Sequence, residues 1–199
     1  DPLVSISGTD LSRSYFEHVV RPLVAERWPG LAYAAARLGS GSEVLGLDDE
    51  LSRDHDWGLR LNLLVPPEAV DDVGAHLADR LPDVHEGYPT RFATTGDPVR
   101  RHRVQVETAR DLAISRLGLD PTDDLRVDDW LSLTGQAVLE VTGGAVFTDD
   151  AGELGGIRHR LEWYPDDVWR YVVATDWARL AQELPLAGRA ADRGDDLGS

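Results

Sequence analysis

The sequence predicts an α+β fold: a small mixed sheet flanked by helices, followed by a helical C-terminal part. Three observations lead there. Strand-like segments near 31–38, 54–65 and 103–108 are confined to the first 108 residues. Helical stripes over 9–28 and 68–81 interleave with them. From about Ala109 onward the pattern is helical. The expected organisation is one domain over 1–108 and a mainly helical region over 109–199.

Thr9 and Asp10 can cap a first helix, whose stripe runs Leu11, Tyr15, Val19, Leu23 with Phe16, Val20 and Val24 beside it. Pro22 within that stripe implies a kink or a break, and Pro29-Gly30 ends it. Leu31–Leu38 reads as a short strand that runs into Gly39-Ser40-Gly41-Ser42. Asp54–Val65 reads as a second strand. Its alternation puts His55, Trp57, Leu59, Leu61 and Leu63 on one face, and Asp54, Asp56, Gly58, Arg60 and Asn62 on the other. Pro66-Pro67 closes it, and Glu68–Leu81 is an amphipathic helix with Val70, Val73, Leu77 and Leu81 inward. Residues 82–101 read as loop with a strand near Thr90–Thr94, and Arg103–Thr108 as a strand with Val104 and Val106 inward. A short helix over Asp111–Leu117, a longer one over Asp128–Thr142, a glycine-rich acidic loop over 145–156, a helix over Ile157–Trp163 and a last helix from Pro165 to about Glu183 complete the chain. Trp130, Trp163, Trp169 and Trp177 fall at helical spacing, which favours core packing over base stacking.

Composition removes several chemistries. The chain has no Cys, so disulfides, zinc thiolates and a cysteine nucleophile are excluded. All 20 basic residues are Arg, which excludes a Schiff-base lysine and the lysine of a phosphate-binding P-loop. A net charge of −16 argues against extended nucleic acid or an anionic membrane as partner, since both repel it. A nucleotide stays open, because a divalent ion inverts the local field. No apolar run is long enough to span a membrane, and a cytoplasmic location is expected. Without an initiator Met, and with an abrupt end at Ser199, the chain reads as a piece of a longer protein.

Chemistry concentrates in Leu38-Gly39-Ser40, thirteen residues, then Asp54-His55-Asp56-Trp57. Glycines let backbone amides approach an anion closely. Two aspartates two apart on a strand project from one face, and a carboxylate pair opposite a phosphate cradle suits Mg²⁺ or Mn²⁺. Each half alone has a plainer reading: Gly-Ser-Gly-Ser is usually a flexible turn, and Asp-His-Asp a solvated strand edge. Their order and spacing on a strand–turn–strand frame are what single them out.

The segment GSGSEVLGLDDELSRDHDWG resembles the nucleotidyltransferase superfamily that includes DNA polymerase β and the kanamycin nucleotidyltransferases. The nearest likeness is to a bacterial family of unknown function, DUF4037, which the segment from Asp128 to Ser199 also resembles. The likeness covers nearly the whole chain. It implies a Mg²⁺-dependent transfer of a nucleoside monophosphate from an NTP to a hydroxyl of a small molecule or protein. It implies that Gly39 and Ser40 bind the triphosphate and that Asp54 and Asp56 hold metal; Gly41, Ser42 and Arg53, inside the same signature, are further candidates for the nucleotide site, with roles the signature does not fix. The superfamily adds a third carboxylate on a neighbouring strand. The candidate here is Glu107, as metal ligand and base, sharing a face with Gln105, the position at which relatives carry the acid. An amide there cannot act as a base. The alternative is therefore an inactive nucleotidyltransferase-like module that binds a nucleotide or a partner. Arg60, Arg158 and Arg160 are further arginines that could meet a phosphate, with structural pairing as the plainer role. His55 faces away from the aspartates, which favours a core or supporting role.

Overall fold

The computed structural model describes residues 7–39, 58–94 and 97–192, with only the backbone of 185–192. Ser40, Gly41, Ser42, Arg53, Asp54, His55 and Asp56 lie outside the described residues. The α+β expectation holds: a five-stranded, mostly antiparallel sheet has helices around it, and the C-terminal part is helical.

The first helical stretch opens with α1 (Gly8–Tyr15), capped by Ser7, whose hydroxyl accepts from the Asp10 amide at 3.0 Å, rather than by Thr9 or Asp10. Such a cap contributes about 1 kcal/mol. Pro22 does not break the stretch. A π-helical segment (Phe16–Val20) leads directly into α2 (Arg21–Arg27). Proline lacks an N–H and its ring crowds the carbonyl four residues back, and a widened turn just before it relieves both conflicts. The stripe thus stays on one side, and Leu11, Tyr15, Phe16, Val20 and Val24 are all buried.

Strand β1 (Ala34–Ala36) pairs antiparallel with β2 (Arg60–Leu64), Ala35 facing Leu63 and Ala36 facing Asn62. Helix α3 (Val70–Arg80), entered through a 3₁₀ turn over Pro67–Ala69, buries Val73 and Leu77. A small hairpin, β3 (Val84–His85) and β4 (Tyr88–Pro89), precedes β5 (Arg91–Thr94). Strand β6 (Asp97–Glu107) starts six residues earlier than its alternation predicts, because Asp97-Pro98 and the run Arg100 to Arg103 mask the period. It pairs antiparallel with β5 and parallel with β2. The loop expected over 145–156 contains a strand, β7 (Val146–Asp149), which joins the other edge. The sheet order is β5-β6-β2-β1-β7.

One face of this sheet makes the core. Leu59, Leu61, Leu63 and Val65 meet the first helical stretch and α3, with Val104, Val106 and Phe147 packed against them. Gly58 is required at this point: a Cβ on it would lie 2.7 Å from Cζ of Phe92, and its φ is +153°. The period-2 rule sends Arg60, Asn62, Arg103, Gln105 and Glu107 to the other face. Register pairs them as Arg60 with Arg103, Asn62 with Gln105 and Leu64 with Glu107.

Helices α4 (Ala109–Leu117), α6 (Gly135–Thr142) and α7 (Glu153–Leu161) pack together. The single helix expected over 128–142 is two, α5 (Val127–Ser132) and α6. The break falls at Leu133-Thr134, where the Thr134 hydroxyl caps α6 by accepting from the Ala137 amide at 3.1 Å. The chain divides into two compact units, 1–124 with 134–162, and 125–133 with 163–199, so the line drawn at 108 falls inside the first.

The second unit is built from α5 and α8 (Asp166–Asp192), which runs nine residues past its expected end. Trp130 is buried there, edge-on to Tyr164 with ring centres 5.4 Å apart. Trp163, Trp169 and Trp177 are exposed instead of in the core, although Trp169 stacks on Tyr164 with ring centres 6.3 Å apart. No described helix is long and apolar enough to cross a membrane.

Candidate functional site

A cavity of about 560 Å³ opens on the polar face of the sheet, in the first unit. Gly39 and Arg37 at the end of β1, Arg60 and Asn62 of β2, Arg101, Arg103 and Gln105 of β6, and Arg116 of α4 line it. Five guanidinium groups thus face Asp97 as the sole carboxylate among the described lining residues. In a chain of net charge −16 this is a concentrated reversal of sign, and such a concave, cationic surface focuses anions.

The arginines are not equivalent. Arg103 is committed to the β5–β6 turn: its Nη1 donates to Asp97 Oδ2 at 2.9 Å, its Nε to the Phe92 carbonyl at 3.1 Å and its Nη2 to those of Asp97 and Val99. Arg101 shares Asp97 at 3.1 Å and is largely exposed. Two guanidinium groups and the Val99 amide hold the Asp97 carboxyl below its usual range, with the amide as the largest contributor. Arg37 is buried and donates to the Leu38 carbonyl. Arg116 stands 3.7 Å from Glu140 and is one-third exposed.

Asn62 organises the floor. It is 3% exposed, a single amide in a run of leucines. Its Oδ1 accepts from the Leu38 amide at 3.1 Å and its Nδ2 donates to Gln105 Oε1 at 3.0 Å. Its amide also lowers the pKa of the nearby Glu107 carboxyl. One side chain therefore ties the ends of β1, β2 and β6 together.

The predicted site residues separate accordingly. Gly39 lines the cavity with φ +95°, the left-handed region that glycine tolerates. Its amide is not open to a ligand, because it donates to the Glu140 carbonyl at 3.1 Å. Ser40 follows Gly39 in the chain, and Asp56 stands two residues before Gly58, so the described residues that flank the segment 40–57 are Gly39 at the cavity and Gly58, two residues before Arg60. Glu107 is not among the lining residues. It lies opposite Leu64, roughly 13 Å along β6 from Arg103 at a strand's rise per residue. Gln105, its neighbour on the same face, is the one that lines the cavity. Among the described residues no three His, Asp or Glu side chains gather to hold a metal ion. Arg158 and Arg160 are elsewhere, bonded to carbonyls of 141–144 and 121–123.

Burial pushes the Glu107 carboxyl above its ordinary value and Asp111 adds to this, while Arg116 and the Asn62 amide pull it back. A carboxyl whose folded pKa is raised favours the fold fully below its unfolded pKa, and that contribution is lost as pH rises through the folded value. Glu107→Gln is therefore expected to melt higher than the parent at neutral pH, with the gain vanishing below about pH 4. Urea titrations across that range check this, and equal stability at neutral pH would refute it.

Asn62, Arg37, Arg101 and Arg116 were not singled out from sequence. Asn62 had a signal, a lone polar residue within LRLNLLV. The arginines had none, since twenty of them are spread along the chain.

Comparison with known proteins bears on the other end of the chain. Residues 130–199 match the family model described as a domain of unknown function (DUF4037). The DUF4037 match takes in α6, β7, α7 and α8, including Glu140 and Arg158, and stops short of Gly39, Asp54, Asp56 and Glu107. No curated protein and no solved structure matches the chain.

Proposed function

We propose that this protein is a Mg²⁺-dependent nucleotidyltransferase that moves a nucleoside monophosphate from an NTP to a hydroxyl of a small molecule or protein. The observation that carries the reading is the arginine-lined cavity at the end of β1, in an otherwise strongly acidic chain. Several guanidinium groups converging on one concave surface suit a polyphosphate, which Arg binds through paired N–H donors. Gly39, which lines the cavity, and Ser40, next to it in sequence, are the residues the superfamily likeness assigns to the triphosphate, and Asp54 and Asp56 are those it assigns to metal.

In this reading Asp54 and Asp56 hold the ion, as hard oxygen donors appropriate to Mg²⁺ or Mn²⁺. When bound, the ion would neutralise phosphate charge and polarise the bond to be broken. The chain's own part is to bind and orient. Arg60, Arg101 and Arg116 offset the charge of the triphosphate, and the Gln105 amide offers a donor beside it. The acidic remainder of the surface favours a small-molecule or protein acceptor over extended nucleic acid. An NTP-consuming role fits a cytoplasmic protein, and that location belongs to the proposal.

One observation favours the second reading, an inactive nucleotide-binding module. The amide Gln105 lines the cavity and the carboxylate Glu107 does not. Pyrophosphate release separates the two readings. The full chain is incubated with Mg²⁺, each NTP and hydroxyl acceptors, beside the Asp54→Asn/Asp56→Asn variant. Release by the parent and its loss in the variant are expected. Tight NTP binding without release in either protein would leave the binding module, and no Mg–NTP binding at all would end both readings.

A further inference from the structure

The three amides at the end of β1 are all committed within the protein. Arg37 N–H donates to the Ala145 carbonyl at 2.8 Å, Leu38 N–H to Asn62 Oδ1 at 3.1 Å and Gly39 N–H to the Glu140 carbonyl at 3.1 Å. Among the described residues, the donors for an anion at this lip are therefore on side chains. The nearest is Arg116. Helix α4 is stopped by Gly118 in the left-handed conformation, which leaves Arg116 in its last turn. From there its Nη2 comes to 3.9 Å from the point a Gly39 Cβ would occupy.

Its partnership is loose. Glu140 Oε2 is 3.7 Å from Arg116 Nη1, beyond hydrogen-bond length, and Glu140 Oε1 already accepts from Gln136 at 3.1 Å. Arg103, by contrast, holds Asp97 at 2.9 Å and is 14% exposed. A partly exposed pair at that separation is worth little, so exchanging Glu140 for a phosphate with two well-placed oxygens is favourable.

We propose that Arg116 is a polyphosphate-binding residue at the Gly39 lip of the cavity, held in place by Glu140 until the anion displaces that carboxylate. This rests on the reading of the cavity as a polyphosphate site, and on neither metal nor turnover.

The test is calorimetric titration of the full chain with inorganic tripolyphosphate in the presence of a chelator. Arg116→Ala is expected to weaken binding by roughly tenfold or more, and Arg116→Lys to recover part of it, because a lysine keeps the charge but not the paired donors. Glu140→Gln, which keeps the carbonyl that holds Gly39, is expected to tighten binding about threefold by removing the competing charge. A merely structural Arg116 would not produce that gain. Asp54→Asn/Asp56→Asn is expected to bind metal-free tripolyphosphate no more weakly than the parent. Wild-type affinity in Arg116→Ala overturns the inference while leaving the polyphosphate reading intact. Failure of the parent itself to bind overturns both. Arg116-dependent binding in a chain that releases no pyrophosphate supports the inference and removes the transferase reading alone.

Discussion

Asn62→Leu is expected to destabilise the protein by about 1–3 kcal/mol, although it replaces a polar residue by an apolar one in a buried run. Leucine is close in size and the flanking positions are leucines, so packing alone would favour the change. What decides against it is the set of groups left behind. The buried Leu38 amide loses its acceptor, and Gln105 Oε1, on an exposed residue, loses a donor that water can replace. The buried orphan costs about 1–3 kcal/mol, more than a leucine gains there. Glu107 also loses the amide that favours its charged form. The melting temperature should fall by about 2–12 °C for a chain of this size. Hydrogen exchange should rise first at Leu38 and Gly39, where β1 delivers the chain to the cavity. A variant as stable as the parent would show that the three-way tie contributes nothing net.

Arg158→Met is expected to cost a similar amount, about 2–4 kcal/mol, for a different reason. Methionine keeps the apolar stem and removes only the guanidinium. That group, projecting from α7, donates from Nε to the Val141 carbonyl at 3.0 Å and from Nη2 to those of Gly143 and Gly144. These carbonyls end α6 and begin the turn into β7, where no further helical amides follow to satisfy them. The positive charge also sits at the negative end of the α6 dipole. Burial lowers the Arg158 pKa and Asp149 offsets part of that. From its starting value the group stays charged at any pH the fold survives. Urea unfolding measures the cost. Exchange at Arg37, whose amide bonds the Ala145 carbonyl just past this turn, reads whether β1 loosens with it.

Particular residues show what was legible in the sequence. The alternation of Leu59, Leu61 and Leu63 against Arg60 and Asn62 located β2, its core face and its polar face, because a period of two has a single geometric meaning. The α3 stripe was legible for the same reason at period 3.6. Three elements were not. Val146–Asp149 is too short to show a period, and its neighbouring glycines and aspartates look like a loop. Pro22 was read from local sterics alone, whereas one π-helical segment resolves the conflict. The α5–α6 break depends on Thr134 acting as a cap, a role shared in sequence with every mid-helix threonine. For the site, Gly39 was legible because a glycine after a strand marks a place where the backbone can take a positive φ, as it does here. Arg116 was not, since it reaches the cavity from a helix 77 positions away in sequence number, a proximity only the fold creates.

Among the described lining residues the cavity's positive charge comes from guanidinium groups, and that gives it an unusual constancy. An ammonium can lose its proton in a buried setting or be acylated, and a lysine-lined pocket can be tuned or silenced that way. Arginine does neither under conditions the fold survives. Their share of the field at the Gly39 lip is therefore the same in an acidified and an alkaline medium. A pH dependence of anion uptake is contributed by the anion itself and by the carboxyl and imidazole groups around the arginines, among them Glu107, and His102, whose imidazole burial holds below its usual pKa. The guanidinium groups are a fixed electrode, and the ionisation of their neighbours and of the visitor sets what it attracts.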